Sequence, residues 1–171
     1  MTVSDFTTFL LTLFKNIEIE DSIKFLEEAE DRLKGNFDAI FLLKISQSEK
    51  KLALGLHHDC IENLNKIRSE VNNHADIESK VFSELAYVYG LYYKRKDDHE
   101  NYYKSCLQYL AYTSESDMSD KEKKELSIKM GMSILLGKNV YNISELLDKE
   151  IINSLVGTEF EWLFHMMRNL G

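Results

Sequence analysis

The segment from His57 to Cys60, His-His-Asp-Cys, contains side chains of the types that bind metal ions in proteins. His57 and Cys60 would lie one turn apart on a helix, and imidazole and thiolate are both zinc ligands. A zinc site needs four ligands, or three with a water, and the other histidines stand singly along the chain. We therefore interpret the segment as a polar first turn of a helix with Cys60 packed inward, and we predict no metal site and no cofactor.

The two cysteines are the candidate nucleophiles. A catalytic thiol needs a base within hydrogen-bond reach and a group that orients that base. His99 precedes Cys106 by seven residues, which is two helical turns and too far for a hydrogen bond. Free cysteines in apolar helix patterns are commonly buried, so both are interpreted as core thiols.

Tyrosines are concentrated in one stretch, and eight of the nine lie between Tyr87 and Tyr112. Aromatic rings among basic residues can stack on single-stranded nucleic acid, but acidic residues interrupt the only basic run. The alternatives that stay open are burial of the rings in a helix pair and, for any exposed ring, contact with a protein partner, since tyrosine is enriched at interfaces.

Carboxylates are abundant, with a dense run from Glu18 to Asp31. Such a run is more often the solvated face of a helix, capped here by Asp21 or Ser22, than a docking patch. No glycine-rich phosphate loop, G-x-S-x-G elbow or paired His-Glu motif occurs. The sequence thus predicts no enzyme, no catalytic residue and no small-molecule substrate.

Charge and hydropathy argue against two further classes of partner, nucleic acids and membranes. The formal net charge is −8, which is unfavourable for nucleic acid and for anionic membranes. No apolar run approaches the roughly 20 residues that span a bilayer, and the first residues lack the positive region of a signal peptide. We expect reduced thiols and a cytoplasmic and nuclear protein.

The 171 residues contain no proline, which favours uninterrupted helices joined by short loops. Apolar residues recur with helical spacing along the whole chain. The predicted helices cover roughly residues 4–17, 21–34, 37–54, 57–72, 77–96, 99–113, 120–136, 143–155 with a break, and 159–170. Hairpins that begin near 37, 77 and 119 have the spacing of about 40 residues found in helical solenoids. The sequence predicts an all-α fold.

Helix ends carry their own signals. Ser119-Asp120-Lys121-Glu122 has the form of a capping box, and similar starts are predicted at Asn142 and Thr158. Gly137 is expected to end a helix in the left-handed conformation. Gly90 and Gly131 fall inside predicted helices, where glycine costs about 1 kcal/mol relative to alanine, and we attribute them to close approach of a second helix.

A resemblance to a known family follows from several segments in the same order and spacing. These segments are Ile23–Glu27, Val81–Ala86, Tyr102–Leu110, Leu135–Asn142, Glu145–Leu147 and Leu155–Leu163. Together they resemble the non-ATPase subunit of the 26S proteasome lid that is numbered nine in yeast and thirteen in the human nomenclature, a PCI protein. The resemblance covers nearly the whole chain.

The resemblance implies a right-handed α-solenoid of TPR-like helical hairpins over residues 1–171, forming a single helical-repeat domain. The winged helix of PCI proteins has no counterpart in this sequence, so we expect the chain to be the helical-repeat part of a longer subunit. The implied role is that of a non-catalytic scaffold in ubiquitin-dependent protein degradation. The implied partners are other lid subunits and the ubiquitin-receptor subunit.

Two other functions remain open at this point. The chain could be the helical arm of another PCI assembly, such as the signalosome or a translation-initiation complex. It could also be a free TPR-type adaptor that binds a peptide, which predicts a groove lined by one sign of charge. A lid arm instead predicts an apolar patch at an end or edge.

Overall fold

The computed structural model describes residues 3–33, 35–140 and 142–171, without the side chains of residues 3–7 and 15. Within these ranges the protein is built from α-helices and two short 3₁₀ segments and contains no strand, which confirms the all-α prediction. The α-helices are α1 Val3–Asn16, α2 Ile19–Arg32, α3 Phe37–Ala53, α4 His57–Val71, α5 Ser79–Arg95, α6 His99–Tyr112, α7 Asp120–Leu136, α8 Ile143–Leu147 and α9 Glu161–Leu170. The 3₁₀ segments are Glu115–Asp117 and Glu150–Leu155.

The chain forms two compact units, residues 1–88 (unit 1) and residues 89–171 (unit 2). The single repeat domain expected for residues 1–171 stays a prediction.

Helix α3 is the centre of unit 1, because α1, α2 and α4 all pack against it. Its sequence is apolar on several sides, with Phe41, Leu42, Leu43 and Ile45 all buried. A helix that is apolar around its circumference is stable only when neighbours cover it on several faces. The loop from Leu54 to Leu56 is short, so α3 and α4 form an antiparallel hairpin.

Unit 2 is organised around the 3₁₀ helix Glu150–Leu155, whose Ile151, Ile152 and Leu155 are buried against α7 and α9. The Ser127 hydroxyl on α7 donates a hydrogen bond of 2.9 Å to the Ile151 carbonyl oxygen. That bond satisfies a buried backbone acceptor in a region that lacks regular α-helical hydrogen bonding. The predicted helix 143–155 is therefore broken, as expected, into α8 and this segment.

The two interior glycines differ in their surroundings. A Cβ atom at Gly131 would lie 2.5 Å from Leu163 Cδ2 on α9, so the predicted close helix approach is confirmed there. At Gly90 the nearest atom, Ser105 Cβ, would be at 3.7 Å, an ordinary contact. The close-approach prediction for Gly90 is wrong.

Ser119 forms the predicted capping box: its hydroxyl accepts from the Glu122 amide, and the Glu122 carboxylate accepts from the Ser119 amide at 2.8 Å. The capping predicted for Asp21 or Ser22 is wrong, since α2 begins at Ile19 after Glu18. Ser22 is instead buried and donates to the Ile19 carbonyl oxygen.

Three other predicted caps are wrong, although α7 ends before Gly137 and α8 begins after Asn142, as predicted. Gly137 has φ −78° and ψ 138°, an extended conformation, and Val140 folds back against it. Asn142 precedes α8 with φ 65° and makes no side-chain cap. The Thr158 hydroxyl accepts from the Phe160 amide and donates to the Leu155 carbonyl oxygen, which closes a turn, so α9 begins only at Glu161. In each case a tertiary contact or turn replaces the local cap.

Two residues of the sequence argument fall outside the described ranges. These are Lys34, the predicted last residue of the second helix, and Tyr141, which belongs to one of the segments that carry the resemblance.

Candidate interaction surface

The first turn of α4 separates the side chains that suggested a metal. Cys60 is fully buried, while His58 is exposed and lies 4.0 Å from Asp59 and 3.8 Å from Glu62. Among the described residues, no three His, Cys, Asp or Glu side chains come together as metal ligands would. The turn thus exposes His58 and Asp59, half-buries His57, and buries its thiol.

Cys106 is buried on α6 in the core of unit 2. Burial raises the pKa of its thiol to about 12, although a hydrogen bond with Tyr102 and the charges of Lys129 and Lys94 act in the opposite direction. The thiolate is the reactive form of cysteine. Burial therefore favours the protonated thiol over the reactive thiolate.

The tyrosine-rich stretch divides between core and surface. Tyr89 and Tyr103 are buried, and the Tyr103 hydroxyl donates to the Asn142 carbonyl oxygen at 3.2 Å. Tyr87 and Tyr112 are exposed. Ring burial therefore accounts for part of the cluster, and contact of the exposed rings with a protein partner stays a prediction.

A groove runs along α3 in unit 1. One cleft of about 380 Å³ is lined by residues of α3 together with Glu30, Glu70 and His74. A second cleft of about 280 Å³ continues between α2 and α4. At one end the exposed Phe37 ring lies 4.2 Å from the His74 ring, centroid to centroid. Sequence periodicity did not predict this groove, because it depends on how three helices pack.

Lys44 bridges the two sides of the groove. Its Nζ lies 3.0 Å from Glu30 Oε1 on α2 and 3.3 Å from Glu70 Oε2 on α4. Burial acts against the charged amine, but the hydrogen bond to Glu30 and the charge of Glu70 outweigh it and raise the pKa of Lys44. Lys44 is therefore a permanent cation between two carboxylates.

The groove contains both signs of charge, since Glu27 and Lys66 also line it. A peptide-binding adaptor was expected to have a groove lined by one sign of charge.

The acidic side chains of α2 are exposed to solvent at Glu20, Asp21, Glu27 and Glu28. The acidic run is thus a solvated helix face, as predicted.

Unit 2 carries an exposed apolar surface on the last turns of α7. Met132, Leu135 and Leu136 are exposed there, Leu136 by 56%, while Met130 and Ile134 on the opposite face are buried in the core. We call the first three residues the α7 stripe. On α9, Trp162 is also exposed, by 52%. A second apolar face on a helix whose first face is already packed is typical of a surface that a protein partner covers.

Among the described residues, no helix is both long and apolar enough to cross a lipid bilayer. Helical hairpins, a polar groove and an exposed apolar stripe are together the features of a helical-repeat interaction protein.

Comparison with known proteins identifies the family. The family model described as PSD13 N-terminal repeats matches residues 4–167, and the chain belongs to this family. The resemblance inferred from the sequence is thereby confirmed.

The curated relatives are proteasome subunits. The chain is 33% identical over 156 residues to the 26S proteasome non-ATPase regulatory subunit 13 homolog A of Arabidopsis thaliana, covering 88% of this chain and 40% of the relative. It is 24% identical over 166 residues to the Dictyostelium discoideum subunit 13, covering 94% and 43%. It is 23% identical over 179 residues to the regulatory subunit RPN9 of Saccharomyces cerevisiae, covering 94% and 45%. The chain spans about two-fifths of the length of the curated relatives it matches.

Proposed function

We propose that this chain is the helical-repeat arm of a non-catalytic subunit of the 26S proteasome lid, acting in ubiquitin-dependent protein degradation. The observation that carries the proposal is the match of residues 4–167 to the PSD13 N-terminal repeats. The names of the relatives, regulatory subunits of the non-ATPase kind, support a role without ATP hydrolysis.

The arm acts by holding neighbouring subunits in position. Its partners are neighbouring lid subunits, including the region of the ubiquitin-receptor subunit, and its location is that of the proteasome, the cytoplasm and nucleus. The exposed α7 stripe supports this role, because an exposed apolar patch is typical of a surface that a protein partner covers. The arm itself does not bind ubiquitin.

Affinity purification of the full-length parent protein at native expression, followed by quantitative mass spectrometry, tests the proposal. Recovery of lid and base subunits near one-to-one is the expected result. Recovery of another PCI assembly, or of soluble proteins without the lid, would refute it.

A matched pair of variants tests the surface. Leu136→Asp places a charge on the α7 stripe and should release lid subunits from the purified complex, since an unpaired charge at an interface core opposes binding. Leu54→Asp changes an exposed leucine of unit 1, 61% accessible, and should leave the complex intact. Equal recovery of lid subunits with both variants would show that the α7 stripe is not part of the interface.

Ubiquitin binding is tested separately. Titration of isotope-labelled ubiquitin with the chain should produce no residue-specific chemical-shift changes. Saturable shifts at micromolar concentration would contradict the purely positional role.

A further inference from the structure

The loop between α6 and α7, residues 113–119, carries serines in an acidic context. Ser114 is followed by Glu115 and, three residues on, by Asp117; Ser119 is followed by Asp120 and, three residues on, by Glu122. Protein kinases select substrates by the charge pattern around the acceptor, and acids at positions +1 and +3 suit the basic substrate clefts of acidophilic serine kinases. By sequence alone both serines have acids at +1 and +3, although Lys121 lies at position +2 of Ser119.

The structure distinguishes them. The Ser119 hydroxyl donates to Glu122 Oε2 at 2.6 Å, and the same carboxylate accepts from the Ser119 amide at 2.8 Å. The acceptor hydroxyl and the acid at +3 are therefore bound to each other as the capping box of α7. A kinase would have to break that cap to use Ser119.

Ser114 has no such role. Its side chain is exposed and caps no helix, and its Oγ lies 2.7 Å from another exposed hydroxyl, that of Ser116. The acid at +3, Asp117, is exposed as well. The acceptor hydroxyl and the acid at +3 are therefore accessible at Ser114, while the acid at +1, Glu115, is half-buried.

The loop also opens at low cost. Thr113 and Ser114 already have extended backbone conformations. The 3₁₀ turn that follows is closed by two backbone hydrogen bonds, Asp117 to Ser114 at 3.1 Å and Met118 to Glu115 at 3.3 Å. Short solvent-exposed turns of this kind lie at the low end of local unfolding free energy, so the segment can extend into a kinase cleft.

We propose that Ser114 is a phosphorylation site for an acidophilic serine kinase. The Ser114 hydroxyl oxygen attacks the γ-phosphorus of Mg²⁺-bound ATP and forms the phosphoester bond. Its proton passes to the catalytic aspartate of the kinase, and the bond to the bridging oxygen breaks to release ADP.

The modification changes the loop by electrostatics. A phosphate adds a charge of about −1.5 to −2 beside Glu115 and Asp117. Like-charge repulsion then favours opening of the 3₁₀ turn, and the Asp117 and Met118 amides should exchange their hydrogens faster after phosphorylation.

The test uses the 171-residue chain with ATP, Mg²⁺ and a kinase of the casein kinase 2 type, with sites assigned by mass spectrometry. In the folded chain, Ser114 should be modified at least about tenfold faster than Ser119, the factor that corresponds to about 1.4 kcal/mol of protection by the cap. In a synthetic peptide of residues 110–122, which lacks the folded helix, the ratio of the two rates should be smaller than in the folded chain, because the cap no longer protects Ser119.

Two variants complete the design. Asp117→Asn should slow modification of Ser114, whereas Ser116→Ala, a neighbour outside the recognition positions, should leave it unchanged. No phosphate on Ser114 in the folded chain would overturn the proposal, as would equal rates at Ser114 and Ser119 or an Asp117→Asn rate equal to that of the unchanged chain.

Discussion

Units 1 and 2 are both helical, but their helices pack in different ways. Two helices of unit 1 are separated by a groove, whereas two helices of unit 2 are in close contact. In unit 1, α2 and α4 flank a groove that Lys44 bridges through Glu30 and Glu70. In unit 2, Gly131 brings the backbone of α7 against Leu163, and Ser127 bonds the buried Ile151 carbonyl oxygen. A half-exposed ion pair tolerates change and responds to salt, whereas a dry close contact does neither. The two units should therefore respond to mutation in different ways.

The largest effect is expected at Gly131. A methyl group in Gly131→Ala would meet the fully buried Leu163 side chain at 2.5 Å, and α9 would have to move. We expect the free energy of unfolding to fall by about 1–3 kcal/mol, the usual cost of overpacking, as measured by urea denaturation.

Gly90→Ala is the matched control, since the same change inside α5 meets only ordinary contacts. Replacing an interior helix glycine there should raise the free energy of unfolding by about 0.5–1 kcal/mol. Both glycines lie in unit 2, so effects of the same sign at both positions would show that the contact with Leu163 does not determine the response to a methyl group at Gly131.

The next effect concerns Ser127. Ser127→Ala leaves the Ile151 carbonyl oxygen buried without its side-chain donor, and should cost about 1–3 kcal/mol. Ser133→Ala is the control. Its buried hydroxyl donates only to the Lys129 carbonyl oxygen of its own helix, and that oxygen already accepts a backbone hydrogen bond within the helix. Thermal unfolding of the two variants should separate them clearly, and equal midpoints would contradict the bridging role of Ser127.

The smallest effect is expected in unit 1. Lys44→Met removes both ion pairs of the groove, and since the three side chains are partly exposed the cost should be below about 1 kcal/mol. The difference in unfolding free energy between the unchanged chain and Lys44→Met should shrink further near 1 M salt, where the screening length is about 3 Å. A loss that persists unchanged in high salt would mean that the lysine stem, not its charge, stabilises the groove.

The stability difference between the unchanged chain and Lys44→Met should depend on pH in a defined direction. The pKa of Lys44 is raised on folding, so its ion pairs stabilise the protein fully below about pH 10 and this stabilisation is lost as the pH rises through the pKa of the folded state. The unchanged chain and Lys44→Met should converge in stability only in strongly alkaline solution.

Helix positions were largely predictable from the sequence, because they depend on the apolar pattern and on local breaks. The predicted helix at 57–72 is observed at His57–Val71, and that at 120–136 at Asp120–Leu136. Ser119 was correctly identified as a cap because its partner, Glu122, lies in the same turn.

The wrong predictions share one physical cause. The signals at Gly137 and Thr158 are local, but Val140 packs against the first, and the second closes a turn onto the Leu155 carbonyl oxygen. The groove and the α7 stripe could not be located from periodicity either. Both depend on which helix faces remain uncovered once the units have packed.

The cysteines divide evenly between the two units: Cys60 is buried in unit 1 and Cys106 in unit 2. Alkylating reagents reach a buried thiol only when its surroundings open. Pulsed alkylation followed by peptide mapping can therefore time the opening of each unit separately in the same unmodified molecule. The natural sequence thus contains one internal reporter per unit, with no need for an introduced label.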